Sequence, residues 1–253
     1  MKNGTLYARR VKKLLSRLKN TYGRPQIPEE PTNPVDQLIL GLLSVETSDA
    51  KARRAVTALR EAMVDINEVR VSTSAEVAAA IATHVPESIH CADAIRASLN
   101  AIFRREHGVT LDHLQKTGLR EAKQYLEHLD GVDPGAAASV LLWSLGGHAI
   151  PVDRRMHEAL RRENCVEPSA SRGEVQAFLE RNISASDAKM FCLLMNRFSS
   201  ATAPRPHVSA PSKSRSAGAG KAKTAAGPSA KKRKNKTTSR KTTSKTRKRA
   251  SSR

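Results

Sequence analysis

The stretch "LDGVDPGAAASVLL" (residues 129–142) combines a turn with the start of a helix. Gly131 permits a tight turn, because glycine adopts backbone conformations that other residues avoid. Asp133 followed by Pro134 is a strong helix start, since aspartate accepts from the first free N–H groups and proline suits the first turn. The helix that follows has small side chains on one side, which allows another surface to approach closely. We therefore expect a short hairpin that enters a closely packed helix.

Two interpretations of this hairpin remain open. A helix start with free N–H groups is a natural site for a phosphate group. An ordinary capped helix in an all-α core needs the same residues, and the stretch alone favours that simpler interpretation.

The rest of the body, residues 1–203, has apolar residues at helical spacing almost throughout. We find no convincing alternating strand and no internal repeat. The body is therefore predicted to be all-α, one large or two small domains in size, with Ser48 or Asp49 capping its third helix. The predicted helices are a first one containing Leu6 to Leu18, then residues 35–46, 50–63, 74–83, 88–104, 119–128, 134–146, 152–163, 172–182 and 185–198.

The positive charge is concentrated in the tail, residues 204–253. It holds 17 of the 44 Lys and Arg residues and no Asp or Glu. The tail therefore supplies most of the chain's net charge of +20. With one large aliphatic residue, Val208, and no aromatic one, the tail is predicted to be disordered. Its basic runs favour nucleic acid over an anionic membrane surface, because no apolar face accompanies the charge. A solvated tail that aids solubility is the simpler alternative. The candidate DNA contacts there are Lys231, Lys232, Arg233 and Lys234.

Cys91, Cys165 and Cys192 are far apart in the sequence and form no CxxC pair. Their spacing argues against a zinc site or a disulfide framework, and it predicts reduced core cysteines in a cytosolic or nuclear protein. The first twenty residues contain no uninterrupted apolar run, so no secretory signal is expected. No segment approaches the roughly 20 apolar residues of a membrane span, and no membrane partner is expected.

Two longer segments carry a family resemblance. "PVDQLILGLLSVETSDAKARRAV" (34–56) and "LEHLDGVDPGAAASVLLWSLGGHAIPVDRRMHEAL" (126–160) resemble the endonuclease III family in their letters and in their spacing. This family belongs to the helix-hairpin-helix superfamily of base-excision DNA glycosylases. "FCLLMNRFSS" (191–200) resembles the helix that leads into the family's iron–sulfur loop. The resemblance covers about residues 5–200.

The resemblance implies two helical domains with a DNA-binding cleft between them. Residues 27–147 would form a six-helix domain that contains the hairpin, and residues 1–26 and 148–203 would form the second domain. The cleft would receive a base flipped out of double-stranded DNA, because the glycosidic bond cannot be reached inside the stack.

The hairpin departs from the family at two positions. The family sequence is usually L-P-G-V-G, whereas this chain has L-D-G-V-D at 129–133. Gly131 and Val132 are expected to contact DNA, but Asp133 brings a carboxylate to the phosphate site. Members that also cleave the strand carry a catalytic lysine two residues after the second glycine, where this chain has Gly135. A Schiff base needs an amine, so lyase chemistry through this position is excluded.

Two further departures lie outside the hairpin. Glu46, in "SVETSD", takes the place of the glutamine that fills the base stack in the family. The Cys-rich iron–sulfur loop is missing, and Ser200 stands where its first cysteine would be. Glu46 and Gly135 remain candidate DNA contacts, and no cofactor is expected, in particular no iron–sulfur cluster.

The family's carboxylate is retained. "IPVDRRM" (150–156) resembles the family's I-x-V-D stretch and places Asp153 at the position of its catalytic aspartate, at a helix start that faces the cleft. Asp153 is also the expected N-cap of the following helix, and the two roles are compatible. Trp143 is expected in the core, and His148 and His157 are further candidates for the cleft.

Three functions are compatible with these residues. The first is a monofunctional DNA glycosylase that uses Asp153. The second is a non-catalytic DNA-binding protein, which Asp133 and Glu46 favour. The third is a helical adaptor whose tail serves as an address signal. We expect a monomer that binds double-stranded DNA, in the cytoplasm at the nucleoid, or in the nucleus of a eukaryotic host.

Overall fold

The computed structural model describes residues 4–28 and 32–202, which belong to one compact unit of the chain. Within these ranges the chain forms helices and connecting turns, with no strand, so the all-α prediction is confirmed. The helices are α1 (Gly4–Tyr22), α2 (Pro34–Ser44), α3 (Asp49–Ala62), α4 (Ile66–Val71), α5 (Ser74–Ile81), α6 (Ser88–Glu106), α7 (Leu119–Glu127), α8 (Pro134–Trp143), α9 (Arg154–Arg162), α10 (Arg172–Asn182) and α11 (Ala185–Thr202).

Side-chain caps start many of these helices. Asn33 and Asp65 accept hydrogen bonds from first-turn N–H groups of α2 and α4. Thr73 and Ser171 form reciprocal capping boxes with a glutamate three residues later. These contacts satisfy donors that have no partner inside the helix, which explains why short polar residues mark the starts.

Helix α8 lies at the centre of the fold and packs most extensively on α2. A β-carbon added at Gly41 would lie 3.0 Å from the Ala136 Cα and 3.3 Å from the Ser139 Cβ. The small residues of α8 therefore admit the backbone of α2. A buried hydrogen bond of 2.7 Å from Gln37 Nε2 to Ser139 Oγ joins the same two helices.

The first and the last helices of the described chain pack together. Helix α1 lies against α11, and α11 also contacts α9 and α8. The inner face of α1 buries Val11, Leu14 and Leu18. These contacts agree with a second domain built from both ends of the chain, but the proposed boundaries at 27–147 and 148–203 stay a prediction.

Three of the differences between the observed and the predicted helices have a physical explanation. Helix α4 and the 3₁₀ turn Asp112–Gln115 were not predicted, because one or two turns are too short to display an apolar period. Helix α8 ends at Trp143 rather than at 146, since Gly146 takes a φ of +65° and the Gly147 N–H bonds back to the Leu141 carbonyl. Helix α9 begins at Arg154 rather than at 152 because Asp153 is its cap.

Candidate active-site cleft and DNA-binding hairpin

The hairpin turn before α8 requires glycine for two reasons. Gly131 has a φ of +78°, which side chains rarely adopt. A β-carbon there would also lie 2.7 Å from the backbone oxygen of Ala94 on α6. The Val132 N–H closes the turn on the Leu129 carbonyl at 3.2 Å. The predicted tight turn is therefore present, and it is fixed against α6.

Asp133 caps α8 as its sequence context predicts. Its Oδ1 accepts from the Ala136 N–H at 2.7 Å, and its backbone carbonyl accepts from the Ala137 N–H at 3.1 Å. Pro134 has no N–H group. The carboxylate therefore takes one of the N–H groups that a phosphate could use at this helix start, that of Ala136.

Each carboxylate of the hairpin has an arginine partner from another helix. Arg104 of α6 donates to Asp130 Oδ2 at 2.6 Å. An Arg172 nitrogen, at the start of α10, lies 3.5 Å from Asp133 Oδ2. The second contact is looser than a hydrogen bond of ordinary length. The acidic substitutions in the hairpin are thus accompanied by cations.

A cleft next to the hairpin brings Gly135 and Asp153 together. Its walls come from α2, from the start of α3, from α8, from the segment leading into α9 and from α11. The lining residues are Gln37, Leu40, Gly41, Ser44, Val45, Asp49, Arg53, Gly135, Ser139, Trp143, Pro151, Val152, Asp153, Met156, Cys192, Leu193 and Asn196.

Asp153 is the N-cap of α9 and lies partly buried in this cleft. Its Oδ1 accepts from the Met156 N–H at 2.6 Å. Burial raises the pKa of Asp153 above its usual value, and the negative charge of Asp49 acts in the same direction. The N–H groups of Met156 and Arg155 and the Arg155 charge act in the opposite direction. The carboxylate therefore combines a structural cap with a position from which it can reach a bound molecule.

A second carboxylate and an arginine line the same cleft. Asp49 receives hydrogen bonds from Arg53 Nε at 2.9 Å and Arg53 Nη2 at 3.4 Å. The sequence suggested Asp49 only as a possible cap. The structure makes Ser48 the N-cap residue, without a side-chain capping bond, and Asp49 the first helical residue. Their spacing of four residues indicates an ion pair on one helix face, but it does not show that this face borders the cleft.

The expectation of a core position is met in part for Trp143, whereas the two histidines do not line the cleft. Trp143 packs partly against the core, yet it also lines the cleft, where Lys189 Nζ lies 5.7 Å from its ring centroid. His148 bonds to the Glu180 carbonyl and His157 to the Ala170 carbonyl. Neither histidine lines the cleft, so the expectation that they would is wrong.

Glu46 does not line the cleft with Asp153. Burial raises the pKa of Cys91 to about 11, and the charge of nearby Glu46 adds to this effect, which places Glu46 towards α6. Its contact with DNA stays a prediction. The tail residues Lys231, Lys232, Arg233 and Lys234 lie outside the described residues.

The three cysteines are free and buried, as predicted for core cysteines. Within residues 4–28 and 32–202, no group of three or more His, Cys, Asp or Glu side chains is placed to hold a metal ion. The same ranges contain no helix of the length and hydropathy needed to cross a membrane.

Several solved structures resemble this chain. A non-covalent complex of endonuclease III with DNA has a TM-score of 0.60 and 19% identity, over 76% of this chain and 85% of that one. The 8-oxoguanine glycosylase/lyase of Clostridium acetobutylicum, in complex with double-stranded DNA containing cytosine opposite to 8-oxoG, has a TM-score of 0.57 and 16% identity, over 76% and 69% of the two chains. A thermostable thymine-DNA glycosylase has a TM-score of 0.54 and 16% identity, over 81% and 90%.

No protein-family model and no curated protein sequence matches the chain. The structural likeness covers 76% and 81% of this chain for the endonuclease III complex and the thymine-DNA glycosylase, and it agrees with the resemblance seen in the two sequence segments. The chain therefore has the fold of endonuclease III and of the related DNA glycosylases, the helix-hairpin-helix glycosylase fold.

Proposed function

We propose that this protein is a monofunctional DNA glycosylase, which hydrolyses the N-glycosidic bond of a damaged or mismatched base flipped out of double-stranded DNA. The observation that carries the proposal is the partly buried Asp153 carboxylate in a cleft that also contains Gly135. The similar solved structures support it, because they include endonuclease III and an 8-oxoguanine glycosylase/lyase bound to DNA.

Asp153 has the chemistry that base hydrolysis needs. As the base leaves, the sugar gains oxocarbenium character, and a nearby carboxylate stabilises this positive charge. The same group accepts a proton from the attacking water. Burial, which raises the pKa of Asp153, makes the carboxylate a stronger proton acceptor than an exposed aspartate.

Gly135 argues for a single activity. Strand cleavage through a Schiff base requires an amine, which glycine lacks. Hydrolysis requires only an oriented water and the carboxylate, so the proposed reaction needs no cofactor. We accordingly propose base release without lysine-dependent lyase activity at this position.

The proposed partner is double-stranded DNA, bound by a monomer. The tail, residues 204–253, carries 17 Lys and Arg residues and no acidic residue. Neutralising phosphates with such a segment supplies affinity that is independent of sequence. It would compensate for a hairpin in which the Asp133 carboxylate occupies the Ala136 N–H group. A DNA-associated location, at the nucleoid or in the nucleus, follows from this partner.

A binding-only protein is the second candidate. The observation that favours it is the altered hairpin, in which Asp133 caps α8 and lies near Arg172 while Asp130 pairs with Arg104. In this case the fold would clamp DNA and the cleft would hold no reacting base.

Base release from a panel of duplex oligonucleotides separates the two candidates. Each duplex carries one lesion or mismatch, and the free base is measured by mass spectrometry after incubation with the full chain. Release of at least one base, without a strand break until alkali is added, is the expected result. DNA binding without release from any duplex would support the binding-only protein.

A further inference from the structure

Arg172 occupies a position that its own helix does not explain. It is the first residue of α10, where a positive charge opposes the helix dipole. The helix start is already stabilised by the capping box of Ser171 and Glu174. Arg172 therefore does not stabilise α10, and its charge stabilises a neighbouring group instead.

That neighbouring group is the start of α8. An Arg172 nitrogen lies 3.5 Å from Asp133 Oδ2, and the Arg172 and Asp133 side chains are 41% and 28% exposed. Among the hydrogen bonds of the described residues, none is donated by the Arg172 guanidinium. The arginine is thus held loosely by charge and keeps its donors available.

The donors of α8 itself are largely used. The Asp133 carboxylate takes the Ala136 N–H, the Ala137 N–H makes the ordinary helical bond to the Asp133 carbonyl, and Pro134 has no N–H group. Only the Gly135 N–H remains among the first four residues of the helix. One amide is a weak anion site, especially beside a carboxylate, so a phosphate bound here needs a cation from elsewhere.

We propose that Arg172 binds a backbone phosphate of DNA at the start of α8, beside the Gly135 amide and in place of the Ala136 amide that the Asp133 carboxylate occupies. The inference rests on the proposed function only in taking DNA as the ligand. A guanidinium suits this task because it binds phosphate through two parallel hydrogen bonds. Gly135 borders the cleft, so this phosphate lies next to the site that receives the flipped base.

Asp133 acts in two opposed ways in this arrangement. It orients Arg172 in the free protein, but it competes with phosphate for the same guanidinium. Asparagine at this position would keep the cap, because its side-chain oxygen accepts from the Ala136 N–H, while it would release Arg172 from the ion pair. Asp133→Asn should therefore tighten DNA binding, and more strongly when Arg172 is present.

Duplex binding by fluorescence anisotropy over a range of salt concentrations tests the inference, with the full chain and an undamaged oligonucleotide. Arg172→Ala should weaken binding several-fold and lower the log–log salt slope by about 0.9, the value for one phosphate contact. Arg172→Lys should keep most of the slope but lose part of the affinity, since a point charge remains without the bidentate contact. Arg181→Ala is the matched control, because it removes the same charge from the other end of α10. It should leave affinity and slope close to those of the parent.

The double variant completes the test. If Arg172→Ala and Arg181→Ala have equal effects, or if Asp133→Asn tightens binding equally with and without Arg172, the inference is wrong. Failure of the parent to bind duplex DNA would overturn both this inference and the proposed function. An effect specific to Arg172 in a protein that releases no base would uphold the phosphate site and overturn only the glycosylase.

Discussion

Asp133 and Asp153 cap two successive helices with nearly the same geometry but in different surroundings. Their Oδ1 atoms accept from the N–H group three residues later, at 2.7 and 2.6 Å. Asp133 faces the cation of Arg172, whereas burial raises the pKa of Asp153 and outweighs the opposing effects of the Met156 N–H and the Arg155 charge. Capping alone does not distinguish the two carboxylates. The environment of Asp153 makes it the candidate for proton transfer.

Asp153→Asn should abolish base release while the protein stays folded and bound to DNA. Asparagine keeps the cap, but it cannot accept a proton or stabilise a developing positive charge. A positioned general base contributes about 10²–10⁴-fold to a rate. The single-turnover rate on a lesion that the parent excises should therefore fall by about 10²-fold or more. Asp65→Asn is the control, since Asp65 caps α4 in the same way and lies outside the cleft. Comparable excision by parent and Asp153→Asn would remove Asp153 from the mechanism.

The raised pKa of Asp153 also predicts a pH dependence of stability. A folded-state pKa above the unfolded value of about 3.8 means that the folded protein binds the proton more tightly. Ionisation of Asp153 therefore lowers stability as the pH rises from the unfolded value through the folded one. A tenfold change in the proton affinity corresponds to about 1.4 kcal/mol.

Urea unfolding of the parent and of Asp153→Asn at a series of pH values measures this difference. The other titrating groups are shared by the two proteins and largely cancel. The free energy of unfolding of the asparagine variant should rise relative to that of the parent as the pH increases above about 4. The difference between the two should then become constant. A difference that does not change with pH, or that favours the parent as pH rises, would show that the pKa is not raised.

Gly131→Ala should destabilise the protein more than Gly146→Ala. Both glycines have positive φ, +78° and +65°, so alanine is strained at either position by about 1–2 kcal/mol. At Gly146 an added β-carbon meets nothing within 4 Å, whereas at Gly131 it meets the Ala94 oxygen at 2.7 Å. The clash should add about 1–3 kcal/mol, as overpacking does. Equal losses in urea unfolding would contradict the close packing of the hairpin on α6.

The local features of this fold could be predicted from the sequence, because they depend on neighbouring residues. The Asp133–Pro134 start of α8 and the cap at Asp153 involve contacts over three residues, which the letters display directly. The Arg172–Asp133 pair and the place of Arg53 in the cleft depend on how distant helices pack. The sequence around an arginine at a helix start does not indicate which other helix the arginine will contact.

Trp143 illustrates the same limit at a single residue. Its apolar context predicts burial, and part of the side chain does pack against the core. The cleft reaches α8 at this residue, so the same ring also faces the space that α11 borders. A helical period indicates which face is apolar, but it does not say whether a cleft interrupts the partner surface.

Removal of residues 204–253 should leave the body folded and weaken DNA binding. The tail has one large aliphatic residue and no aromatic residue to contribute to a core, and its 17 basic residues can contact phosphates. Each contact that is lost lowers the log–log salt slope by about 0.9 on duplex DNA. Binding at several salt concentrations for the full and shortened chains gives the number of contacts. Identical slopes would mean that the tail does not bind DNA.

Gly135→Lys should introduce a covalent reaction with DNA that the parent lacks at this position. The nearest atoms to a β-carbon at Gly135 would be the Val152 oxygen at 3.4 Å and the Asp133 carboxylate oxygens at 3.6 and 3.7 Å, which are ordinary contacts. A lysine is therefore accommodated at the edge of the cleft that holds Asp153. Its neutral amine would condense with the C1′ aldehyde of an abasic site and release water, and borohydride would reduce the resulting imine to a stable secondary amine.

A duplex with an abasic site allows this test before any lesion is identified. Gly135→Arg is the control, because it adds the same charge and a similar length without a nucleophilic amine. The lysine variant should give a borohydride-dependent adduct that peptide mapping assigns to residue 135, and the parent and the arginine variant should give none there. If Asp153 assists proton transfer at the same carbon, the double variant Gly135→Lys, Asp153→Asn should give a lower yield of the adduct. No adduct from a folded, DNA-bound lysine variant would mean that Gly135 does not face the sugar of the flipped nucleotide.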